Sequence, residues 1–238
     1  MIRMRTFFLT ILAAAIGLAV ATADEGVYEY GKASRDGIGK FYMGREISHV
    51  MGHLGAAWLE RPTREREERT DRLINRLPLK PDSVVADIGA GTGYFSFPMA
   101  ERVPDGRVLA VDIQQEMLDM IAARMAAEGV DNIQTVLGSE RDPGLEPSSV
   151  DVVLLVDAYH EFSWPREMGE AMVRALKPEG RLVLIEYRAE DPSVPIKPLH
   201  KMSVKQARRE MAAIGLELER NGKFLPQQHF MVFRKIEP

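Results

Sequence analysis

Three glycines at alternate positions, Gly89, Gly91 and Gly93, follow the apolar run Val84-Val85-Ala86-Asp87-Ile88. Glycine accepts positive φ and lets a backbone lie close against a ligand. In open α/β folds, ligands bind where a buried strand turns into a helix at the carboxyl edge of the sheet. The dinucleotide fingerprint needs Gly-x-Gly-x-x-Gly, but Tyr94 follows Gly93 directly, so the spacing counts against a nicotinamide cofactor. Asp112 lies 19 residues beyond Gly93 at the end of the next apolar run, where a carboxylate can accept bonds from both hydroxyls of a ribose. Glycines and carboxylate together specify an adenosine-containing ligand.

Other residues are equipped for proton or metal chemistry. His160, in Tyr159-His160-Glu161-Phe162 after the run Val150–Val156, is a candidate general base, since imidazole titrates near neutrality. Glu161 could orient it or hold a cationic substrate. His49 and His53 are spaced one helical turn apart and, with Glu46, would share a helix face. Those are metal-ligating residue types, but one helix supplies only part of a coordination shell. A hydrated polar face accounts for the same residues, and the sequence assigns no metal. His200 and His229 carry no spacing argument.

The elements that must position these groups follow from hydrophobic period. Apolar residues Met43, Ile47, Val50, Met51, Leu54 and Trp58 recur at helical spacing and predict an amphipathic helix over 43–60. A second helix, with a salt-bridged, solvated charged face, is predicted from the run Arg64–Arg72. Short Val-, Leu- and Ile-rich runs at 84–88, 107–111, 133–137, 150–156 and 181–186 then alternate with helical stretches at 94–101, 114–127 and 166–176. That rhythm requires a doubly wound α/β architecture with a mostly parallel sheet, because parallel neighbours need crossovers. A helix at 203–214 precedes two runs, 216–220 and 230–234, joined through Asn221-Gly222 turn chemistry. They predict an antiparallel closing pair.

The chain of 238 residues carries 31 Lys+Arg against 35 Asp+Glu. Arg3 and Arg5, the apolar run from Phe7 to Val20, and Ala21-Thr22-Ala23 have the three-part form of an export signal. The expectation is cleavage after Ala23, a periplasmic destination and no stable membrane insertion. Without residues 1–23 the balance falls to 29 against 35, about minus six, which does not suggest nucleic acid. The absence of cysteine excludes disulfides and lipid attachment through a thiol. The expected layout is signal 1–23, an arm with capping helices 24–78, and one domain 79–238.

The motifs Asp87-x-Gly89-x-Gly91-x-Gly93, Val111-Asp112, Asp151–Val156 before Asp157-Ala158-Tyr159-His160-Glu161-Phe162, and Leu176–Leu184 resemble those of class I, Rossmann-like S-adenosylmethionine-dependent methyltransferases. They resemble in particular small bacterial ones with a Tyr-His-Glu-Phe stretch after the fourth strand. The resemblance spans about Leu79 to Lys235 and implies a seven-stranded sheet with an antiparallel last strand and S-adenosylmethionine as cofactor. It places Gly89, Gly91 and Gly93 under the methionine and ribose, Asp112 on the ribose and Asp87 toward the ammonium group. Asp157 joins the cofactor-binding set, and Ser139 and Glu140 stand near the adenine. The implied activity is methyl transfer to a small molecule; the alternative is a non-catalytic module that binds an adenosyl ligand or a partner on the same fold.

Overall fold

The structure is a computed structural model and describes residues 26–236; the export-signal reading falls outside them. The chain opens with a small antiparallel sheet of β1 (Tyr28–Tyr30), β2 (Gly37–Tyr42) and β3 (Arg45–Ser48). The helix expected over 43–60 is therefore replaced by a hairpin and short turns. Met43 and Gly44 both take positive φ, +50° and +80°, and pair Tyr42 opposite Arg45. Such two-residue turns match the twist of antiparallel strands, and this one overrides the helical period. Only a single turn of 3-10 helix, His53–Gly55, and α1 (Ala56–Leu59) remain helical.

The charged run also splits, into α2 (Arg64–Glu68) and α3 (Thr70–Arg76), with Arg69 left-handed between them at φ 56°. Glu65, Arg66, Asp71 and Arg72 are exposed as expected, but the face that carries Arg64 and Glu68 is not. Arg64 and Glu68 are 4% and 1% exposed, because Arg64 lies over the Tyr94 and Phe95 rings while Glu68 accepts from Arg61, Arg64 and the Tyr187 hydroxyl. The N-terminal cap is thus a small sheet with short helices, not a pair of amphipathic helices.

The main domain follows the expected rhythm. Its elements are β4 (Val84–Ile88), α4 (Ser96–Arg102), β5 (Arg107–Asp112), α5 (Gln115–Glu128), β6 (Ile133–Leu137), β7 (Val150–Val156), α6 (Pro165–Ala175) and β8 (Leu176–Arg188). Then come the two-residue β9 (Lys201–Met202), α7 (Val204–Ala212, capped by Ser203), β10 (Leu216–Gly222) and β11 (Gln228–Lys235). The sheet order is β10-β11-β8-β7-β4-β5-β6, with β9 beside β8. Only β11 runs against its neighbours. Asn221 and Gly222 fall inside β10 instead of forming the turn.

Both faces of the sheet are covered, one by α3, α4 and α5 around Leu73, Met99 and Ile121, the other by α6 and α7 around Met172 and Met211. Strands buried on both sides read as continuous apolar runs, which is why these were legible. The chain leaves β4 toward β5 and β6, then returns to pair β7 on the other side of β4. Chain order reverses there, and the carboxyl ends of β4 and β7 flank the crevice where such folds bind ligands. The small sheet braces this edge: Arg45 is paired to Glu210 of α7 and donates to the His160 carbonyl at 3.2 Å, and Ser48 Oγ reaches the same carbonyl at 3.3 Å.

Candidate functional site

The turn after β4 is shaped by its glycines. Gly89, Gly91 and Gly93 take φ of +74°, +55° and +81°, and the amides of Gly89 and Ala90 both donate to the Val111 carbonyl at the end of β5. A Cβ on Gly91 would stand 2.6 Å from Leu59 Cδ1, and one on Gly89 2.8 Å from Ala158 Cβ. Both glycines line a cleft at the crevice. Gly93 does not. Its missing Cβ would meet Phe97 and Ile121 at 3.0–3.1 Å, so it lets α4 and α5 pack close under the turn.

Asp112, 7% exposed, closes the opposite wall. Its Oδ2 accepts from Gly91 N and its Oδ1 from Gln114 N, both at 2.9 Å. Each oxygen keeps a second lone pair. Burial raises its pKa above the usual carboxylate range, against the three backbone amides that favour the anion. Ile113, 40% exposed, and Met117 continue this wall as an apolar shelf. Ser139 and Glu140 also line the cleft. The Ser139 hydroxyl closes its own turn, accepting from Asp142 N at 3.0 Å and donating to the Asp142 carbonyl.

Asp87 is not in the cleft, although the resemblance aims it at the ligand. It lies beneath the turn, 2% exposed, accepting from Ser96 Oγ at 2.6 Å. Burial lifts its pKa to about 6, so the folded protein holds this proton more tightly than an unfolded chain titrating near 3.9. The resulting stabilisation is full below about pH 4 and is lost as pH rises through 6. Asp87→Asn still accepts from Ser96 but cannot ionise. It should gain about 2–3 kcal/mol over wild type at pH 8 and little at pH 4, read from urea unfolding; the same difference at both pH values would reject this account.

Asp157 ends β7 in the left-handed region, at φ +50°. Its Oδ2 accepts from Gln228 Nε2 at 2.8 Å, while its Oδ1 is buried without a partner. Burial, then the charges of Glu68 and Glu186, push its pKa well up. It lines both the cleft and an adjoining cavity of about 510 Å³. Val50, Met51, Leu59 and Glu161 share that position, so the two spaces are continuous through this group.

His160 and Glu161 sit on a 3-10 turn, Tyr159–Glu161. The His160 side chain lines the adjoining cavity, not the cleft. Its Nδ1 is 2.6 Å from Glu186 Oε2 and its Nε2 3.0 Å from His200 Nδ1. Burial works against the charged ring, but Glu186 outweighs it and holds the pKa above the usual value. His200 is pushed down to about 4 by burial and then by His160. Glu161 Oε2 accepts from Met51 N at 3.1 Å, and burial raises its pKa. Tyr159, 1% exposed, is a core side chain.

The metal grouping considered in the N-terminal segment does not assemble. Glu46 lies on a strand and its Oε1 accepts from the amides of Ser34 and Gly39, while His53 turns toward Glu116, 3.9 Å away. His49 and Trp58 do reach the adjoining cavity. His229 is held by Glu190 at 2.9 Å, away from both spaces. Sequence reasoning missed Glu186, His200, Arg64 and Glu68. Glu186 alone left a signal: a carboxylate ending the apolar run Leu182-Val183-Leu184-Ile185.

Comparison with known proteins agrees with this geometry. A family model described as a methyltransferase domain matches residues 85–180. An uncharacterized methyltransferase-like protein of Schizosaccharomyces pombe is 32% identical over 126 residues, 53% of this chain and 46% of that one. Nocamycin O-methyltransferase of Saccharothrix syringae is 33% identical over 114 residues, 48% and 41% of the two chains. The chain thus spans less than half the length of these relatives. A crystal structure of an S-adenosylmethionine-dependent methyltransferase from Aquifex aeolicus superposes with a TM-score of 0.73 at 22% identity, over 79% of this chain and all of that one. At that identity the likeness speaks for the fold.

Proposed function

We propose that this protein, whose residues 85–180 match a methyltransferase-domain family model, transfers a methyl group from S-adenosylmethionine to a small molecule held in the cavity beside Asp157. The observation that carries the reading is the buried, unpartnered Asp157 Oδ1. An acceptor atom deprived of water and partner costs on the order of 1–3 kcal/mol, and an ammonium group in the cleft would satisfy it. The rest of the cleft fits the same cofactor: the open cradle at Gly89 and Gly91 takes the methionine and ribose, the spare lone pairs of Asp112 take ribose hydroxyls, and the shelf of Ile113 and Met117 takes the adenine. Ser139 and Glu140 stand at its polar edge.

When bound, S-adenosylmethionine supplies an electrophilic methyl group on a sulfonium. The chain's own work is to align an acceptor with it and to exclude water, which can supply much of such a barrier. Glu161 and His160 face the acceptor cavity, and either can hold the proton that an acceptor hydroxyl or ammonium gives up.

Calorimetric titration with S-adenosylmethionine and S-adenosylhomocysteine tests this reading. Wild type should bind both in the micromolar range. Asp157→Asn should lose about tenfold or more, while its ligand-free folded state gains because an amide, unlike this carboxyl, need not take up a proton to be buried. Absence of any adenosyl binding by folded protein would leave a partner-binding module on this fold.

Among the described residues no helix is long and apolar enough to cross a membrane. On the pattern of Arg3, Arg5 and Ala21-Thr22-Ala23 we propose that the chain is exported, so that the mature protein begins at Asp24. N-terminal sequencing of the native protein that reads Met1 from a cytoplasmic fraction would overturn that.

A further inference from the structure

Three side chains converge on one point in the wall of the acceptor cavity. His160 Nε2 lies 3.0 Å from His200 Nδ1 and 3.8 Å from Glu161 Oε1, and the last two atoms are 3.9 Å apart. A circle through those three atoms has a radius of about 2.1 Å, the length of a zinc bond to imidazole nitrogen or carboxylate oxygen. We propose that His160, Glu161 and His200 form a site for one divalent transition-metal ion, zinc by its donor set, with an open coordination position turned into the acceptor cavity.

The supports behind the three ligands fit the assignment. Ligating histidines characteristically hand their second ring nitrogen to a carboxylate, and His160 Nδ1 meets Glu186 Oε2 at 2.6 Å in a fully buried contact. Glu186 also accepts from the His160 amide at 3.2 Å, which fixes the ring's orientation. Glu161 is held through its other oxygen by Met51 N. His200 closes a 3-10 turn, Pro198–His200, and the next residue pairs with β8 opposite Tyr187, so it is tied beside Glu186. A mixed imidazole and carboxylate set suits zinc and its neighbours better than magnesium or calcium, which prefer oxygen alone.

Two histidines and one carboxylate leave a fourth position, the arrangement of catalytic and not structural zinc sites. All three side chains line the cavity, so that position opens onto it. This part of the inference rests on the methyltransferase reading: an acceptor would be bound there through a hydroxyl, phenol or carboxylate oxygen. With the ion in place, a hydroxyl or phenol acceptor would lose its proton to solvent on coordination, before its oxygen takes the methyl group, and a carboxylate acceptor has none to lose. His160 and Glu161 would then serve as ligands, and as proton acceptors only when the ion is absent.

In the ion's absence the same geometry is served by a single proton between His160 Nε2 and His200 Nδ1, so the test must separate proton from metal. Tag-free full-length protein is dialysed against zinc and then titrated against a chromophoric chelator. The expected result is one equivalent bound with submicromolar affinity, and visible d–d absorption on replacement by cobalt. His200→Ala, at a half-buried position that leaves the core alone, should weaken zinc at least a hundredfold, and Glu161→Gln likewise; His53→Ala should leave it unchanged. Failure of wild type to retain zinc against the chelator would overturn the site, as would zinc retained in full by His200→Ala or lost in His53→Ala. S-adenosylhomocysteine binding by the same samples reports separately on the cofactor cleft. Its loss in wild type would refute the methyltransferase reading and leave the metal site standing.

Discussion

Gly91→Arg should abolish adenosyl binding, lowering affinity for S-adenosylhomocysteine by at least about a thousandfold while the protein stays folded. The residue sits at φ +55° with its missing Cβ aimed 2.6 Å from Leu59 Cδ1, so any side chain projects into the cleft that the cofactor needs. Leu59 is the end of a side chain on the four-residue α1 and can give way; an arginine stem filling the space between it and Asp112 leaves no room for a ribose. The folding cost is confined to one non-glycine residue in left-handed backbone, about 1–2 kcal/mol. Calorimetry and a thermal melt on the same sample separate the two effects. An arginine variant that bound within tenfold of wild type would move the adenosyl site elsewhere.

Removing Arg45 should be among the most destabilising single changes in the chain, at about 3–5 kcal/mol. Its guanidinium meets Glu210 through two bonds of 2.9 Å, and the side chains are 9% and 0% exposed. Arg45→Met leaves that carboxylate buried without its partner, which is far costlier than having no pair at all. The double variant Arg45→Met/Glu210→Gln should therefore recover most of the loss in urea unfolding. A single-variant cost under about 1 kcal/mol, or a double variant no better than the single, would show that the pair is screened by water. Since Arg45 also holds the His160 carbonyl, the single variant should disturb the acceptor cavity as well as the fold.

What could be read in advance divides by distance along the chain. The glycine turn and Asp112 were legible because β4, the turn and β5 are consecutive, and a buried parallel strand writes an unbroken apolar run. Asp157 came with the same edge. The reading failed where a local turn overrode a period: Met43 and Gly44 form a hairpin from residues whose apolar spacing fits a helix. It failed again at Arg64 and Glu68, since an Arg–Glu pair four apart reads as a wet helix face unless one knows that Tyr94, Phe95 and Tyr187 lie over it. His200 was invisible for a related reason. Forty residues, with α6 and β8 among them, separate it from His160, and no spacing rule survives that distance.

Asp87 and Gly93 show the limits of carrying a motif over residue by residue. Both belong to the pattern that marks the cleft, yet one braces the turn through Ser96 and the other admits α4 and α5. A motif records everything the backbone needs in order to make the turn, and only some of that lines the cleft.

The segment that roofs Gly91 has a consequence for kinetics. No residue of α1 is fully buried, Leu54 is 91% exposed and Trp58 52%, whereas the strands beneath are among the most deeply buried parts of the molecule. Local opening of residues 53–60 therefore costs far less than global unfolding. The cleft can fill and empty by fluctuations of its roof while the sheet stays closed, which makes the residence time of the ligand and the heat resistance of the protein two separately adjustable properties of one chain.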